Sequence, residues 1–412
     1  MTTAAEVLAR CAQLDRCSAS PHHLERVHLT PEHAAANRLA AGWLEQAGLR
    51  TWQDAAGNQW GRREARTPGR PALVLGSHLD TVPDAGSYDG MLGVVMAIAV
   101  AERLRGTDLP FALEVVGFGD EEGARFGKAL LGSSAVAGTW DPAWAELRDR
   151  DGTTLRQAFL DFGLDVARVG EAARRPEELV GYLEAHIEQG PYLEAADRSL
   201  GYVTTIAGAR RFLLTVVGEA RHAGGTPYPR RRDALVGAGE AVVAVERLAR
   251  DGGCLATVGR IQVWPGAVNV IPGRAELSLD LRAGTDAQRD AMWDRMRAEI
   301  AAICDRRALA LEVVETHRAP AAPCAPWLQQ AVVDGIRTTD DVGAHEPMAL
   351  WSPAGHDAMA IAAVTDVGML FLRCADGISH SPDESVRAVD VARGLDALEA
   401  AVLRVAAEVT AR

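Results

Sequence analysis

The sequence has no uninterrupted apolar run near the ~18 residues that a membrane-spanning helix needs. Yet 48% of its 412 residues are apolar, too many for a disordered chain and enough for more than one domain and a sizeable core. Basic residues are outnumbered. Lys and Arg total 43 against 56 Asp and Glu, a formal net charge of −13. That balance argues against a nucleic-acid partner, which needs a basic face, and against docking on anionic membranes. It constrains partners and not the fold. Cysteine is sparse: Cys11, Cys17, Cys254, Cys304, Cys324 and Cys374 are scattered and form no C-x-x-C pair. The simplest reading is a set of small buried hydrophobes in a reduced, cytoplasmic protein. The N-terminus "MTTAAEVLARCAQLDRC" has the spacing of an amphipathic helix, and charged residues interrupt it, so it does not read as a signal peptide.

What is present is an alternation of strand and helix signals. "ALVLGSHLDT" reads as a buried strand, "GMLGVVMAIAVAERLRG" as a helix and "FALEVVGFG" as the next strand. Such β-α-β order implies right-handed crossovers and a largely parallel core sheet flanked by helices. Functional residues should then collect at the carboxyl ends of the strands. The middle differs. "RRFLLTVVGEA", "RRRDALVGAGEAVVAVERLAR", "CLATVGRIQVWP", "AELSLDLRA", "DAQRDAMWDRMRAEIAAICDRR" and "ALEVVETHRA" read β-α-β-β-α-β, the ferredoxin-like split unit. The Pro/Ala stretch "RAPAAPCAP" closes it, and the α/β pattern resumes. The expected organisation is a discontinuous α/β domain, 1–208 and 319–412, with a second domain inserted at 209–318.

The conspicuous histidines and carboxylates sit at strand ends and glycine-rich turns. His78 and Asp80 end one strand, and Asp89 lies in "GSYDG". Asp120, Glu121 and Glu122 follow the next strand, His186 stands in "EAHIEQGP" and His380 in "GISHSPDE". Three adjacent carboxylates repel one another unless cations neutralise them. Mixed imidazole and carboxylate ligands suit zinc or another divalent transition metal, and two ions about 3.5–4 Å apart need a bridging carboxylate. One glutamate can then ligate while its neighbour takes a proton from a bound water. Asp80 lies two residues from His78, on the same strand face, and can hold the imidazole's other N–H. Against this, a lone histidine is more often structural, and a "DEE" run is usually a solvated loop. Spacing alone does not bring these groups together.

The motifs together resemble the M20-type metallohydrolases, in the branch of allantoate amidohydrolases, N-carbamoyl-L-amino acid hydrolases and β-ureidopropionases. The matching stretches include "GSHLDTVPDAGSYDGMLGV", "GDEEGARF", "LGSSAVAG", "HIEQGP", "HAGGTPYPRRRDAL", "PGAVNVIPGRAELSLDLR", "AGHDA" and "GISHSPDE". The resemblance implies two divalent ions per subunit, zinc or manganese. His78, Asp89 and His186 would hold one; Asp89, Glu122 and His380 the other. It implies Glu121 as general base and the inserted domain as a lid and dimerisation domain. His222 would be lent to the partner subunit's site of a homodimer. Asn269 and Arg274 would hold the substrate carboxylate, with Gln189 and His356 lining the site. Histidine at 186, where related peptidases carry a carboxylate, points to the ureido-hydrolysing branch. Two departures stand out: Gly225 replaces the threonine of the more usual "HAGTTP", and Ser352–Pro353 precede "AGHDA".

The expected reaction is hydrolysis of a ureido acid. Allantoate comes first, N-carbamoyl-L-amino acids second, and N-carbamoyl-β-alanine and ureidoglycolate behind. A metal-free binding or scaffold protein of the same fold is the competing class. Such a protein is free to lose ligands or base, and this sequence keeps the whole set.

Overall fold

A computed structural model describes residues 2–339 and 346–411. The expected segment 319–412 thus includes residues 340–345, which lie outside the described residues. The chain divides into two compact units. The first comprises Met1–Thr204, Cys324–Leu350 and Ala354–Arg412; the second comprises Thr205–Pro323 with Trp351–Pro353. No sequence signal pointed to residues 351–353 as part of the second unit.

The first unit is a mixed α/β layer structure. Its strands are Arg50–Gln53 (β1), Gln59–Arg63 (β2), Ala72–His78 (β3), Ala112–Phe118 (β4), Leu179–Ile187 (β5) and Leu200–Ile206 (β6), with Val367–Leu372 late in the chain. The order across the sheet is β1-β2-β4-β3-β5, then Val367–Leu372, then β6. The four central strands, β4, β3, β5 and Val367–Leu372, run parallel. The flanking strands are antiparallel. Every residue of β3, β4 and Val367–Leu372 is buried, which explains why they read as continuous apolar runs. The Met91–Arg103 helix is buried from Met91 to Ala101, so it lies inside the unit rather than on its surface. The N-terminal helix, Ala4–Leu14, starts with a capping box between Thr3 and Glu6 and buries Val7, Cys11 and Leu14.

Parallel strands share a carboxyl end. Beyond β3 lie Asp80 and Asp89, beyond β4 lie Glu121 and Glu122, and at the end of β5 lie His186 and Gln189. Beyond Val367–Leu372 lie Ser379, His380 and Glu384.

The second unit is built on an antiparallel sheet. Gly208–Val217 (β7) pairs with Arg274–Ala283 on one side and Ala310–Ala319 on the other. The Arg274–Ala283 strand alternates buried and partly exposed residues along most of its length, the period of a half-buried strand. Helices Ala234–Asp251 and Asp286–Arg306 share a core with its inward face, where Phe212 stacks on Trp293 at 3.7 Å. One expected strand is corrected. "CLATVGRIQVWP" is two segments, Leu255–Thr257 and Ile261–Trp264, both paired to Arg274–Ala283. Three residues, 258–260, stand opposite two, 278–279. The extra residue makes a bulge, tied by Arg260 N–H donating to Ser278 Oγ at 3.0 Å.

Candidate metal centre

Asp89 is the centre of the site. It is 4% exposed. Its Oδ1 lies 3.1 Å from His186 Nε2 and 3.5 Å from His78 Nε2. Its Oδ2 lies 3.1 Å from His380 Nε2. Glu122 Oε1 is 3.3 Å from the same His380 nitrogen. The next residue, Gly90, has φ 70°, and a Cβ there would fall 2.4 Å from the His78 ring. Only glycine lets the chain turn from Asp89 into its helix so close to an imidazole.

The imidazoles are oriented from behind. His78 Nδ1 lies 3.0 Å from the Asp80 carbonyl, and His186 Nδ1 lies 2.8 Å from the Ile187 carbonyl. A carbonyl only accepts, so each Nδ1 carries the hydrogen and donates it. Each Nε2 faces Asp89: a protonated ring donates to it, and the neutral ring, with its hydrogen on Nδ1, offers a lone pair to a cation there. That is the tautomer a metal ligand needs. Two sets of ligand atoms lie within 4.8 Å of one another: His78, Asp89 and His186, and Asp89, Glu122 and His380. The donor chemistry fits two divalent cations sharing Asp89. His78, Glu121 and Glu122 form a third such group, and Glu184, His186 and His356 a fourth.

The electrostatics follow from this crowding. Burial opposes a charge on His78 and His186, but the hydrogen bond to Asp89 and the charges of the surrounding carboxylates together outweigh it and raise both imidazoles, His78 far above its usual range. Hydrogen bonds to Asp89 and Glu122 hold His380 up at about 10. Burial also works against an Asp89 charge, and the three histidines reverse it, leaving Asp89 well below the usual carboxylate range. Glu121 goes the other way: burial first, then Glu122 and Asp357, push its carboxyl well above the usual range, against the pull of His78. A buried, raised carboxyl beside candidate cation ligands is suited to holding and returning a proton. Three non-glycine residues of the site have left-handed backbone, Asp120 (φ 66°), Gln189 (57°) and His380 (55°). Such strain persists where the surroundings over-determine it.

The other expected residues sort into two groups. Within the first unit, Gln189 Nε2 donates to Asp89 Oδ2 at 2.8 Å. Asp80 is corrected in detail. Its backbone carbonyl, not its carboxylate, takes the His78 N–H; the carboxylate lies 3.7 Å away. That carboxylate accepts from the backbone N–H of Glu121 at 3.0 Å and Glu122 at 3.3 Å. His356 stands beside the same cluster. It is 1% exposed, with its ring 4.5 Å from the His186 ring and 5.6 Å from Phe371, so it packs against a candidate ligand.

The second unit carries His222, Asn269 and Arg274. His222 and Asn269 are exposed neighbours on a short ribbon: His222 pairs with Val270, and Ala223 N–H donates to the Asn269 carbonyl at 2.9 Å. Gly225 N–H donates to His222 Nδ1 at 2.9 Å, which leaves Nε2–H pointing outward as a donor. Arg274 is paired with Glu276 and lies over Trp264 at 5.2 Å. Sequence reasoning passed over Arg282, on the same strand. It is bonded by Asp280 at 2.8 and 3.2 Å and by the Pro353 carbonyl at 2.8 Å. It also passed over Ser379 and Glu384. The only sequence signal was that Arg282 ends "SLDLR" and that Ser379 and Glu384 flank His380 in "GISHSPDE".

Residues 74–404 match the model described as Peptidase family M20/M25/M40. The chain belongs to that family. This M20 chain is 38% identical to the allantoate deiminase of Arabidopsis thaliana, over 96% of its own length and 81% of that protein's. It is 39% identical to an N-carbamoyl-L-amino acid amidohydrolase of Geobacillus stearothermophilus, over 90% and 91%. A crystal structure of a hydantoinase/carbamoylase family amidase from Burkholderia multivorans matches it with TM-score 0.89 at 32% identity, covering 98% of both chains.

Proposed function

We propose that the protein is a two-metal amidohydrolase that cleaves a C–N bond of a ureido acid, allantoate first, releasing ammonia and carbon dioxide. The observation that carries this is the division of Asp89: one oxygen faces two imidazoles, the other faces a third. The similarity to an allantoate deiminase over nearly the whole chain supports the substrate class. Two cations held by His78, Asp89, His186, Glu122 and His380, zinc or manganese, would supply Lewis acidity and an acidified water. Glu121 takes the proton of the attacking water and returns it to the leaving nitrogen. His222 Nε2–H donates to the carbonyl oxygen on which negative charge develops. A guanidinium, with Asn269, anchors the substrate carboxylate. Arg274 would do so with the N–H groups it does not give to Glu276. Arg282 is the alternative anchor, better oriented by its three hydrogen bonds. Replacing each by lysine separates them, because only the true anchor should raise KM tenfold or more.

Carbamoyl amino acids are the second reading, favoured by the 39% identity to an amidohydrolase of that class. The deciding assay is ammonia release by zinc- or manganese-loaded protein from allantoate and a panel of N-carbamoyl-L-amino acids, with Glu121→Gln as the control. Metal bound but no turnover of either would overturn the substrate class. A chain that binds no metal would support the scaffold reading.

We further propose a homodimer through the inserted unit, with His222 serving the partner subunit's site. The ribbon tip supports this: His222 and Asn269 are exposed, and Val268 is fully so. Mixing inactive His222→Ala with inactive Glu121→Gln protein should restore activity. No recovery in verified mixed dimers would refute the exchange. The described cysteines form no disulfide, which fits a cytoplasmic setting. Among the described residues no helix is long and apolar enough to cross a membrane.

A further inference from the structure

We propose that Glu384 and Ser379 are positioning residues that lock the Asp89 carboxylate into its bridging orientation. The inference rests on the metal-centre reading above. Glu384 is 5% exposed. Its Oε1 accepts from the backbone N–H of Tyr88 at 2.7 Å and of Asp89 at 3.1 Å. Its Oε2 lies 2.8 Å from Ser379 Oγ, and that hydroxyl lies 2.8 Å from Asp89 Oδ2. One carboxylate therefore grips residue 89 by its main chain directly, and Ser379, whose single hydrogen serves one carboxylate at a time, holds the side chain when it gives that hydrogen to Asp89 Oδ2.

The loop before Asp89 is shaped around this grip. A Cβ on Gly86 would fall 2.3 Å from Glu384 Cδ, so no side chain fits there. The consequence is directional. An untethered carboxylate can rotate and offer both oxygens to one cation. With Oδ2 held by Ser379 at 2.8 Å, its other lone pair, which Gln189 takes at 2.8 Å, is the one a second ion would use, and Oδ1 is left facing His78 and His186. The two oxygens are thereby assigned to two ions. Groups that orient a ligand in this way typically change metal affinity about 10–100-fold when removed.

The test is zinc binding to metal-stripped protein, read as ions per chain and as affinity by competition with a chromophoric chelator. Circular dichroism checks the fold. Glu384→Ala and Ser379→Ala should each weaken binding of at least one ion by about 10–100-fold. Glu384→Gln should stay within about threefold of wild type, because its amide oxygen still accepts the two backbone N–H groups. Its NH2 then donates to Ser379 Oγ, whose hydrogen stays on Asp89. If Glu384→Ala does not fold, Ser379→Ala decides, since it leaves the backbone bonds of Glu384 intact. A folded alanine variant that binds two ions with wild-type affinity overturns the brace while sparing the metal reading. Glu384→Gln as weak as Glu384→Ala also overturns it, because charge and not hydrogen bonding would then be at work. Wild-type protein that binds no ion overturns the metal reading and the brace together.

Discussion

Removing the Asp80 carboxylate should damage stability and turnover together, and the structure gives the size of each. Asp80 is 1% exposed, and its carboxylate accepts the backbone N–H groups of Glu121 and Glu122. Asp80→Ala leaves two N–H groups buried and unpaired, at about 1–3 kcal/mol each. Burial already raises the Asp80 carboxyl, so relief of that desolvation offsets part of the loss. A net destabilisation of about 2–4 kcal/mol follows. The N–H groups belong to the proposed base and a proposed ligand, so the geometry of both loosens. A displacement of about 1 Å at a reacting group can cost roughly 10²-fold in rate. Asp80→Ala should therefore lower kcat about 100-fold at saturating metal, while KM stays within about threefold. Asp80→Asn should fall between, because its amide offers one acceptor and turns a donor toward the second N–H. Urea unfolding of metal-free protein reads the first effect and ammonia release the second. Wild-type stability with kcat within about threefold would refute the argument.

Two further outcomes are expected. His28 and His33 are buried together, and burial pushes His33 down to about 3 and His28 well below its usual value. Their folded pKa lies below the unfolded value of ~6.5, so the unfolded chain binds more protons below pH ~6.5 and stability is lost as pH falls toward 3. At pH 4.5 the loss from His33 is about 2–3 kcal/mol; the urea midpoint of wild type should fall faster than that of His33→Gln between pH 7 and 4.5, and parallel curves would refute it. Gly225→Thr restores the residue more usual in this motif: a Cβ there meets His222 Nδ1 at 3.5 Å, an ordinary contact. The variant should fold, gain up to about 1 kcal/mol and keep activity within about threefold, whereas a large loss of activity would mean that the glycine serves the site.

How much of this was legible in the sequence depends on what each residue does. Apolar runs betray strands buried on both faces, so β3 and β4 were readable from "ALVLGSH" and "FALEVVGF". The helix after Asp89 was readable for the same reason. The break in "CLATVGRIQVWP" was not, because a bulge is a matter of register against a partner strand and Val258-Gly259-Arg260 carries no fixed signature. Period-2 reasoning placed Asp80 beside His78 but could not say which of its oxygens would be used. His356 stood in a recognisable motif, yet its burial behind His186 depends on packing that no local pattern records.

The run Asp120–Glu121–Glu122 shows where sequence reasoning stops and geometry begins. Three adjacent carboxylates are tolerable only if they part company, and left-handed backbone at Asp120 begins the separation. Asp120 turns inward: it is fully buried, and burial, then Asp80, push its carboxyl well above the usual range. Glu122 reaches His380, and Glu121 stays among His78 and the neighbouring carboxylates. The Asp80 carboxylate fixes the backbone of both glutamates, so their divergence is built into the main chain and does not depend on side-chain choice. A divergent pair is what a base and a ligand require, since one must face the water and the other the ion. The sequence held the composition of that pair. Its division of labour comes from the backbone N–H groups, to which neither glutamate contributes a distinguishing side-chain signal. By the same logic Ser379 and Glu384 escaped notice: they act on Asp89 through hydrogen-bond direction, and direction is a property of the fold.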